Sequence, residues 1–448
     1  MKLSIIMPSL NVVNYITECL QSIITQTIQD FEIICVDAGS TDGTLEIIKE
    51  FADKDSRIKI INSEVKSYGY QMNLGIRAAV GTYIGIVETD DYIDAEMFED
   101  LYKYTDNNNV DFVKSSYNEF FDIGNKRIKR KRQCESVIPV QGKILNLNED
   151  RAYRLADTNH IWSAIYKRDF IIKNNIRFNE TPGASFQDTS FSILVGLMAN
   201  TCVYISACHY QYRIDREESS VKSDSKYKCI IDEFDYINLY MVSHNIDNLE
   251  YKIEVIKQKL CDYKWNMIRL HGDSRRLFRD VVKDDIINIK KCYFDKLDNK
   301  YIEICDFLLD ISNIEKIESE HKKKKEVLIQ YIKAGINNGG YVIAGAGRMF
   351  SKLISIQEVL GEDIVKAVCD NDKAKQGCKV FNHYVVSVEE AALLYHKDNW
   401  LILNQKYGSQ IQQQLINCGV LKQNINVIDY LPEPVEFIGN AKLSQELK

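Results

Sequence analysis

The first 120 residues alternate short apolar runs with stretches of helical period. Leu3-Ser-Ile-Ile-Met7 reads as a strand, and Ile16 to Thr25 as a helix with Ile16, Leu20, Ile23 and Ile24 apolar. Phe31-Glu-Ile-Ile-Cys-Val36 predicts a second strand. Thr44 to Asp53 predicts a second helix, with Leu45, Ile48 and Phe51 on one face. Ile58 to Ile61 and Tyr83 to Val87 predict two further strands, with a helix from Gln71 to Val80 between them. Strand, helix and strand at this spacing call for a parallel sheet covered by helices on both faces. Ligands of such sheets bind beyond the carboxyl ends of the strands. Asp37, Asp90 and Asp91 all lie at those ends.

The densest chemistry follows the last of these strands, in Ile84-Gly-Ile-Val-Glu-Thr-Asp-Asp-Tyr-Ile-Asp94. Adjacent carboxylates repel unless a cation or water separates them. Hard oxygen donors of this kind suit Mg²⁺ or Mn²⁺, metals that usually bring a phosphate with them. The plain alternative is a solvated acidic turn, because Asp is common where a strand ends.

Composition narrows the class. At 448 residues, two or three domains are expected. Hydrophobic content of 45% with 27% charged residues is that of a soluble globular protein. A net charge of -7 argues against nucleic acid as the main partner. The 12 cysteines are scattered, with no C-x-x-C pair, and predict reduced thiols in a cytoplasm rather than a zinc site or a disulfide framework. Leu3 to Met7 is too short an apolar run for a signal peptide, and no segment approaches a bilayer span. A cytoplasmic protein is expected, with peripheral contact at the inner face of the membrane left open.

Three segments carry a family resemblance. Ser4-Ile-Ile-Met-Pro-Ser-Leu-Asn11, Phe31-Glu-Ile-Ile-Cys-Val-Asp-Ala-Gly-Ser-Thr-Asp-Gly-Thr44 and Tyr83-Ile-Gly-Ile-Val-Glu-Thr-Asp-Asp91 resemble the family 2 glycosyltransferases. The likeness continues through Trp162-Ser-Ala-Ile-Tyr-Lys167, Phe186-Gln-Asp-Thr-Ser-Phe191 and Tyr210-Gln-Tyr-Arg213, about the first 220 residues. It implies a GT-A fold, a Rossmann-like mixed sheet of the nucleotide-diphospho-sugar transferases. It also implies a nucleotide-sugar donor, a divalent metal (Mn²⁺ or Mg²⁺) and inversion at the anomeric carbon.

The resemblance assigns roles residue by residue. Asp91 is the expected metal ligand, with Asp90 contacting ribose or metal-bound water. Glu88 stands where the family often has the first Asp of its acidic motif. Asp37 resembles the acid that recognises base or ribose; the neighbouring acid of many relatives is Ala38 here. An Asx-turn opening the loop before Thr44 is the other reading of Asp37. Pro8, Lys66, Asn73 and Arg213 complete the expected nucleotide-sugar contacts. Arg213 offers a fork for phosphate oxygens, or else a surface ion pair. Met72 stands where relatives often place a cation before the Asn.

Inversion in one step needs a base on the acceptor hydroxyl, and Asp188 is the expected catalytic residue. Relatives commonly have Glu-Asp where this chain has Gln187-Asp188. A helix N-terminal acid satisfying the dipole is the alternative role. Trp162 is expected on the acceptor side, where an indole stacks on a sugar face, unless it is core.

Tyr227 to Leu308 is charged and helix-periodic and predicts two or three helices. Lys322 to Lys325 form a lysine run that fits anionic lipid or glycan, or a solvated helix face. Further on, Gly340-Tyr-Val-Ile-Ala-Gly-Ala-Gly-Arg348 leads into a helix from Met349 to Leu360. Ile364 to Asp370 is a strand ending in acid, and Trp400 to Leu403 and Asn424 to Ile428 supply later strands. This order mimics the dinucleotide fingerprint, but Phe350 occupies the third glycine's place. It resembles the small Rossmann-like domains appended to bacterial sugar-processing enzymes, for which a structural or assembly role is expected ahead of bound NAD.

The expected domains are therefore a GT-A catalytic domain at 1–222, a helical region at 223–328 and a smaller Rossmann-like α/β domain at 329–448. The expected function is transfer of a sugar from a nucleotide diphosphate, UDP being favoured, to a glycan or lipid-linked glycan acceptor in bacterial surface-polysaccharide synthesis. The contrasting reading is a catalytically silent glycan- or nucleotide-binding scaffold of the same fold. A homo-oligomer is compatible with either.

Overall fold

A computed structural model of the chain describes residues 1–105, 109–123, 126–132, 134–157, 160–214, 223–270, 272–360, 363–380, 383–404, 407–428 and 431. The chain forms two compact units, Met1–Phe120 with Lys129–Ile314 and Phe121–Ile128 with Glu315–Lys448.

In the first unit the alternation runs β1 (Leu3–Ser9), α1 (Ile16–Ile24), β2 (Phe31–Asp37), α2 (Thr44–Ala52), β3 (Ile58–Asn62), α3 (Tyr68–Ala78) and β4 (Tyr83–Ile86). There follow β5 (Tyr92–Ile93), α4 (Met97–Lys103), β6 (Phe112–Ile123), β7 (Lys126–Arg132), β8 (Ile144–Asn146), β9 (Ala164–Lys167), α5 (Arg168–Lys173), α6 (Gln187–Met198) and β10 (Thr201–Arg213). The sheet order is β3-β2-β1-β4-β9-β6-β10-β5, with β7 on β6 and β8 on β10. β1, β2, β3 and β4 pair in parallel, whereas β9 runs antiparallel to both β4 and β6. The sheet is thus mixed.

Every residue of β1 and β2 is buried, as central parallel strands covered on both faces must be. That is why their sequences read as unbroken apolar runs. α3 begins at Tyr68, three residues before the sequence suggests, because the Ser67 hydroxyl caps the Tyr70 amide at 3.2 Å. Gly69 is required there: a Cβ would lie 1.9 Å from the Asn179 carbonyl oxygen.

The helices that follow are α7 (Cys229–Ser243), α8 (Leu249–Arg269), α9 (Gly272–Tyr293), α10 (Asn299–Leu309) and α11 (Ile311–Asn337). Four of them, α7 to α10, occupy the span from Tyr227 to just past Leu308, not the two or three expected. Helix caps made by polar residues hide these breaks in an otherwise continuous periodicity. The Asn248 side chain, for example, accepts from the Glu250 and Tyr251 amides and starts α8. α7 to α10 belong to the first compact unit.

The second unit holds β11 (Tyr341–Ala344), α12 (Arg348–Leu360), β12 (Val365–Cys369), β13 (Lys379–Val380), β14 (His383–Val386), α13 (Val388–Tyr395), β15 (Trp400–Leu403), α14 (Gly408–Asn417) and β16 (Ile425–Ile428). Its sheet order is β13-β14-β12-β11-β15-β16, parallel except for β13. No helix among the described residues is long and apolar enough to cross a membrane.

Candidate functional site

β4 ends in a tight turn, in which the Asp91 amide donates to the Glu88 carbonyl at 3.1 Å. Tyr210, from β10, fixes this turn from below. Its hydroxyl accepts from the Glu88 amide at 3.1 Å and donates to Asp91 Oδ2 at 2.8 Å. The Arg213 amide donates to Asp91 Oδ1 at 2.7 Å. Asp91 is consequently 2% exposed. Burial, and next the charge of Asp90, push its carboxyl well above the usual range, against the Arg213 amide and the Tyr210 hydroxyl. Glu88 and Asp90 are half-buried, and Glu88 Oε1 accepts from the Tyr68 hydroxyl at 2.5 Å. The Cys19 thiol, fully buried in α1, donates to the Glu88 carbonyl.

Among the described residues, no group of three or more His, Cys, Asp or Glu side chains is arranged to hold a metal. The donor set nevertheless fits a hard divalent ion of the kind that one or two carboxylates hold together with substrate phosphates. Asp91 and Asp90 would be the oxygen donors to such an ion, and a cation would offset both the burial of Asp91 and the charge of Asp90 beside it.

The neighbouring strand ends are sewn to this turn. The Thr89 hydroxyl donates to the Pro8 carbonyl at 2.9 Å, and the Gln71 amide donates to the Ser9 and Val36 carbonyls at 2.9 and 2.7 Å. Asp37 is 1% exposed, and its carboxylate accepts from the Ser9 and Ser40 hydroxyls and the Gly39 and Ser40 amides, at 2.5 to 3.0 Å. It therefore makes the Asx-turn at the end of β2.

Asn73 is likewise taken up by the fold. Its amide donates to the Phe178 carbonyl and Glu180 Oε1, both at 2.9 Å, and accepts from the Phe178 amide at 3.0 Å. The Arg213 guanidinium is 7% exposed. It donates to the Asp90 carbonyl and to Glu18, and lies over the Tyr15 and Phe120 rings. Lys66 is exposed, with its backbone carbonyl bound by the Gly183 amide at 2.8 Å. Trp162 is 7% exposed, stacked on Tyr210 at 4.1 Å and on Tyr212 at 5.1 Å, with Tyr117 edge-on at 4.8 Å.

Asp188 is the second residue of α6 and half-buried. Desolvation raises its carboxyl above the ordinary range, opposed by the Thr189 amide, its own amide and the charge of Lys114. The preceding loop wraps around Gln187. The Gln187 side-chain amide donates to the Thr181 hydroxyl at 2.9 Å and to the Thr181 and Gly183 carbonyls, while its oxygen accepts from the Ser185 amide at 2.6 Å. That loop pairs with the start of α3, where the Tyr68 amide donates to the Gly183 carbonyl at 2.9 Å.

Two tyrosines join the acidic turn to Asp188. The Tyr68 hydroxyl donates to Glu88 Oε1 and its amide to the Gly183 carbonyl ahead of Asp188; burial first, and then the charges of Asp91, Asp90 and Asp188, push the Tyr212 hydroxyl up. The structure so brings Asp91, Asp90 and Asp188 around one locus. Pro8 is tied to the turn through the Thr89 hydroxyl, whereas Asp37 and Asn73 spend their side chains on hydrogen bonds within the fold. Sequence reasoning missed Tyr68, Tyr210 and Gln187 as site residues. Tyr210 and Tyr212 at alternate positions of one strand, both carried to one face, were the available signal.

A mixed sheet whose parallel half ends in acids, with a further carboxylate on a helix beside them, is a GT-A-like architecture. The chain belongs to glycosyltransferase family 2, whose profile (Glycosyl transferase family 2) matches residues 4–175. It is 32% identical over 218 residues to the glycosyltransferase GlyG of Streptococcus pneumoniae serotype 4, covering 47% of this chain and 70% of that protein. Similarity to the uncharacterized glycosyltransferase EpsJ of Bacillus subtilis is 29% over 230 residues, covering 51% of this chain and 65% of EpsJ. Only 30% of the pneumococcal glycosyltransferase GlyA is spanned, at 31% identity over 48% of this chain. S. aureus TarS 1-349 in complex with UDP-GlcNAc shares the fold, with a TM-score of 0.56 at 20% identity over 72% of this chain and 92% of that one.

Proposed function

We propose that this chain is an inverting, metal-dependent glycosyltransferase that moves a sugar from a nucleotide-diphosphate sugar to a hydroxyl of a glycan acceptor. A UDP-sugar is the donor we favour, and bacterial surface-polysaccharide synthesis the setting. The observation that carries this reading is Tyr68, whose hydroxyl binds Glu88 in the acidic turn at 2.5 Å while its amide binds the Gly183 carbonyl, in the loop that leads into Asp188, at 2.9 Å. It couples a site for a diphosphate's counter-ion to a separate carboxylate fit for an acceptor. In support, the crystallised TarS carries UDP-GlcNAc. A relative 39% identical over 117 residues, covering 25% of this chain and 18% of that protein, is the poly(ribitol-phosphate) beta-glucosyltransferase of Bacillus spizizenii.

Asp91 and Asp90 would hold the divalent ion, which when bound stabilises the negative charge that develops on the leaving diphosphate. Asp188 takes the proton from the acceptor hydroxyl on the opposite face. Its raised proton affinity strengthens it as a base while it remains ionised above its own pKa. Trp162, with Tyr212, supplies an aromatic wall on the acceptor side. Every residue named in these roles lies within 1–222, which we take as the catalytic domain, ahead of a helical region at 223–328 and a C-terminal domain at 329–448.

A thermal-shift screen of nucleotide sugars with Mn²⁺ identifies the donor, since a ligand of the folded state raises apparent stability. Asp188→Asn should then keep the donor-induced shift and lose transfer by about a hundredfold or more. Full turnover in that variant would sink the base assignment.

A further inference from the structure

Phe186, the residue before α6, has φ 63° and ψ 11°, in the left-handed region. A bulky side chain there is a conformational outlier, and such strain persists only where neighbours over-determine it. The neighbours come from α8. Trp265 meets the Phe186 ring edge-to-face at 5.7 Å, and the Arg269 guanidinium lies 5.2 Å from the Phe186 ring and 5.3 Å from that of Trp265. Arg269 is itself braced, donating to Asn266 Oδ1 at 2.8 Å and to the Ser223 carbonyl at 3.2 Å. Lys226 adds a bond to the Ala184 carbonyl. Trp265 is 43% exposed, so its contact with Phe186 is not a by-product of deep burial.

Asp188 lies two residues beyond Phe186, and Gln187 between them organises the 181–185 loop. A change of φ at Phe186 would therefore swing the first turn of α6 and the carboxyl it carries. We propose that Trp265 and Arg269 are positioning residues, which hold Phe186 left-handed and so aim Asp188 at the acceptor. This rests on Asp188 being the base. The helices after residue 222 then support the active centre through Phe186.

The test is a double-mutant cycle in the full chain, with turnover measured on UDP-GlcNAc, UDP-glucose or UDP-galactose, whichever the thermal-shift screen selects. Trp265→Ala should lower kcat about tenfold, the factor implied by a disfavoured left-handed conformer, and leave donor KM unchanged. Glycine adopts this conformation freely, so in a Phe186→Gly background the same Trp265→Ala change should have no further effect. An equal fall in both backgrounds, or no fall in either, overturns the proposal. Hydrogen exchange at amides 184–189 gives a readout independent of chemistry. Trp265→Ala should speed exchange there, and unchanged exchange refutes the hold on Phe186 whatever Asp188 does. If exchange speeds but Asp188→Asn retains full turnover, the base reading falls, and with it the aiming role.

Discussion

Both sheets of this chain carry an acid just beyond a central parallel strand, and the two acids are handled in opposite ways. Asp370, after β12, is met by Lys375 Nζ at 2.7 Å and by the Ala346 and Asp372 amides at 2.8 and 2.9 Å. Asp91, after β4, takes its hydrogen bonds from a phenol and an amide, with Asp90 adjoining. An internal lysine satisfies the first acid. The second is held by neutral donors beside a like charge, an arrangement that gains from an added cation. Glycine usage differs in the same sense. A Cβ at Gly345 would lie 2.8 Å from the Leu403 carbonyl oxygen, so that glycine serves strand packing. The first glycine of the Gly-x-Gly pattern and its trailing acid are thus accounted for inside the second unit, by Leu403, Ala346 and Lys375.

The sharpest way to break this contrast is a matched pair of substitutions. Asp91→Ala should lower Mn²⁺-dependent turnover on the order of a hundredfold or more. Asp370→Ala should leave turnover unchanged and destabilise the second unit, since it takes from the largely buried Lys375 its nearer carboxylate and leaves only Asp372, 3.8 Å away. Equal turnover in the two variants would erase the distinction.

A smaller effect concerns pH. As the proposed base, Asp188 acts only when ionised, and its carboxyl is raised, so kcat should fall as pH drops through that raised value. A pH–rate profile lacking this acid limb speaks against the base role.

Gln187→Glu tests the loop that carries Asp188. It exchanges an amide donor for an acceptor facing the Thr181 and Gly183 carbonyls, and should cost about 1–3 kcal/mol in denaturant unfolding. The motif's commoner Glu would therefore be a poor fit in this particular loop.

The smallest change is expected at Glu233, fully buried in α7 and bonded to the Ser190 hydroxyl and, at 3.1 Å, to the Asn179 amide. Burial raises its pKa to about 8. A raised carboxyl favours the folded state most below its unfolded pKa, and that contribution is lost as pH rises to about 8. Glu233→Gln should flatten the decline of melting temperature between pH 5 and 9, by roughly 5 °C across the range.

The four parallel strands of the first sheet were legible because buried parallel strands leave unbroken apolar runs, as in Ile5-Ile-Met7 and Ile33-Ile-Cys35. The acids at their ends were legible because charge after such a run is conspicuous. What the sequence hid was who partners whom. Asn73 bonds to Phe178 and Glu180 across 105 and 107 residues, and Arg213 reaches Glu18 across 195. Side chains that look apt for a ligand from local pattern alone were absorbed by such distant contacts. The start of α3 was missed for the same reason, since Gly69 answers to the Asn179 backbone and not to its own helix.

The Asn73 clamp also bears on how the chain is made. Its partners emerge more than a hundred residues later, and β9, which completes the pairing of β4, only at Ala164–Lys167. Long-range closures of this kind are slow and come late in folding. A nascent chain that has delivered only its first 150 residues holds the acids of β2 and β4 but neither β9 nor the clamp. The nucleotide half should therefore reach its native state during synthesis only after residue 180 has left the ribosome, and fragments ending earlier should expose apolar surface and invite aggregation.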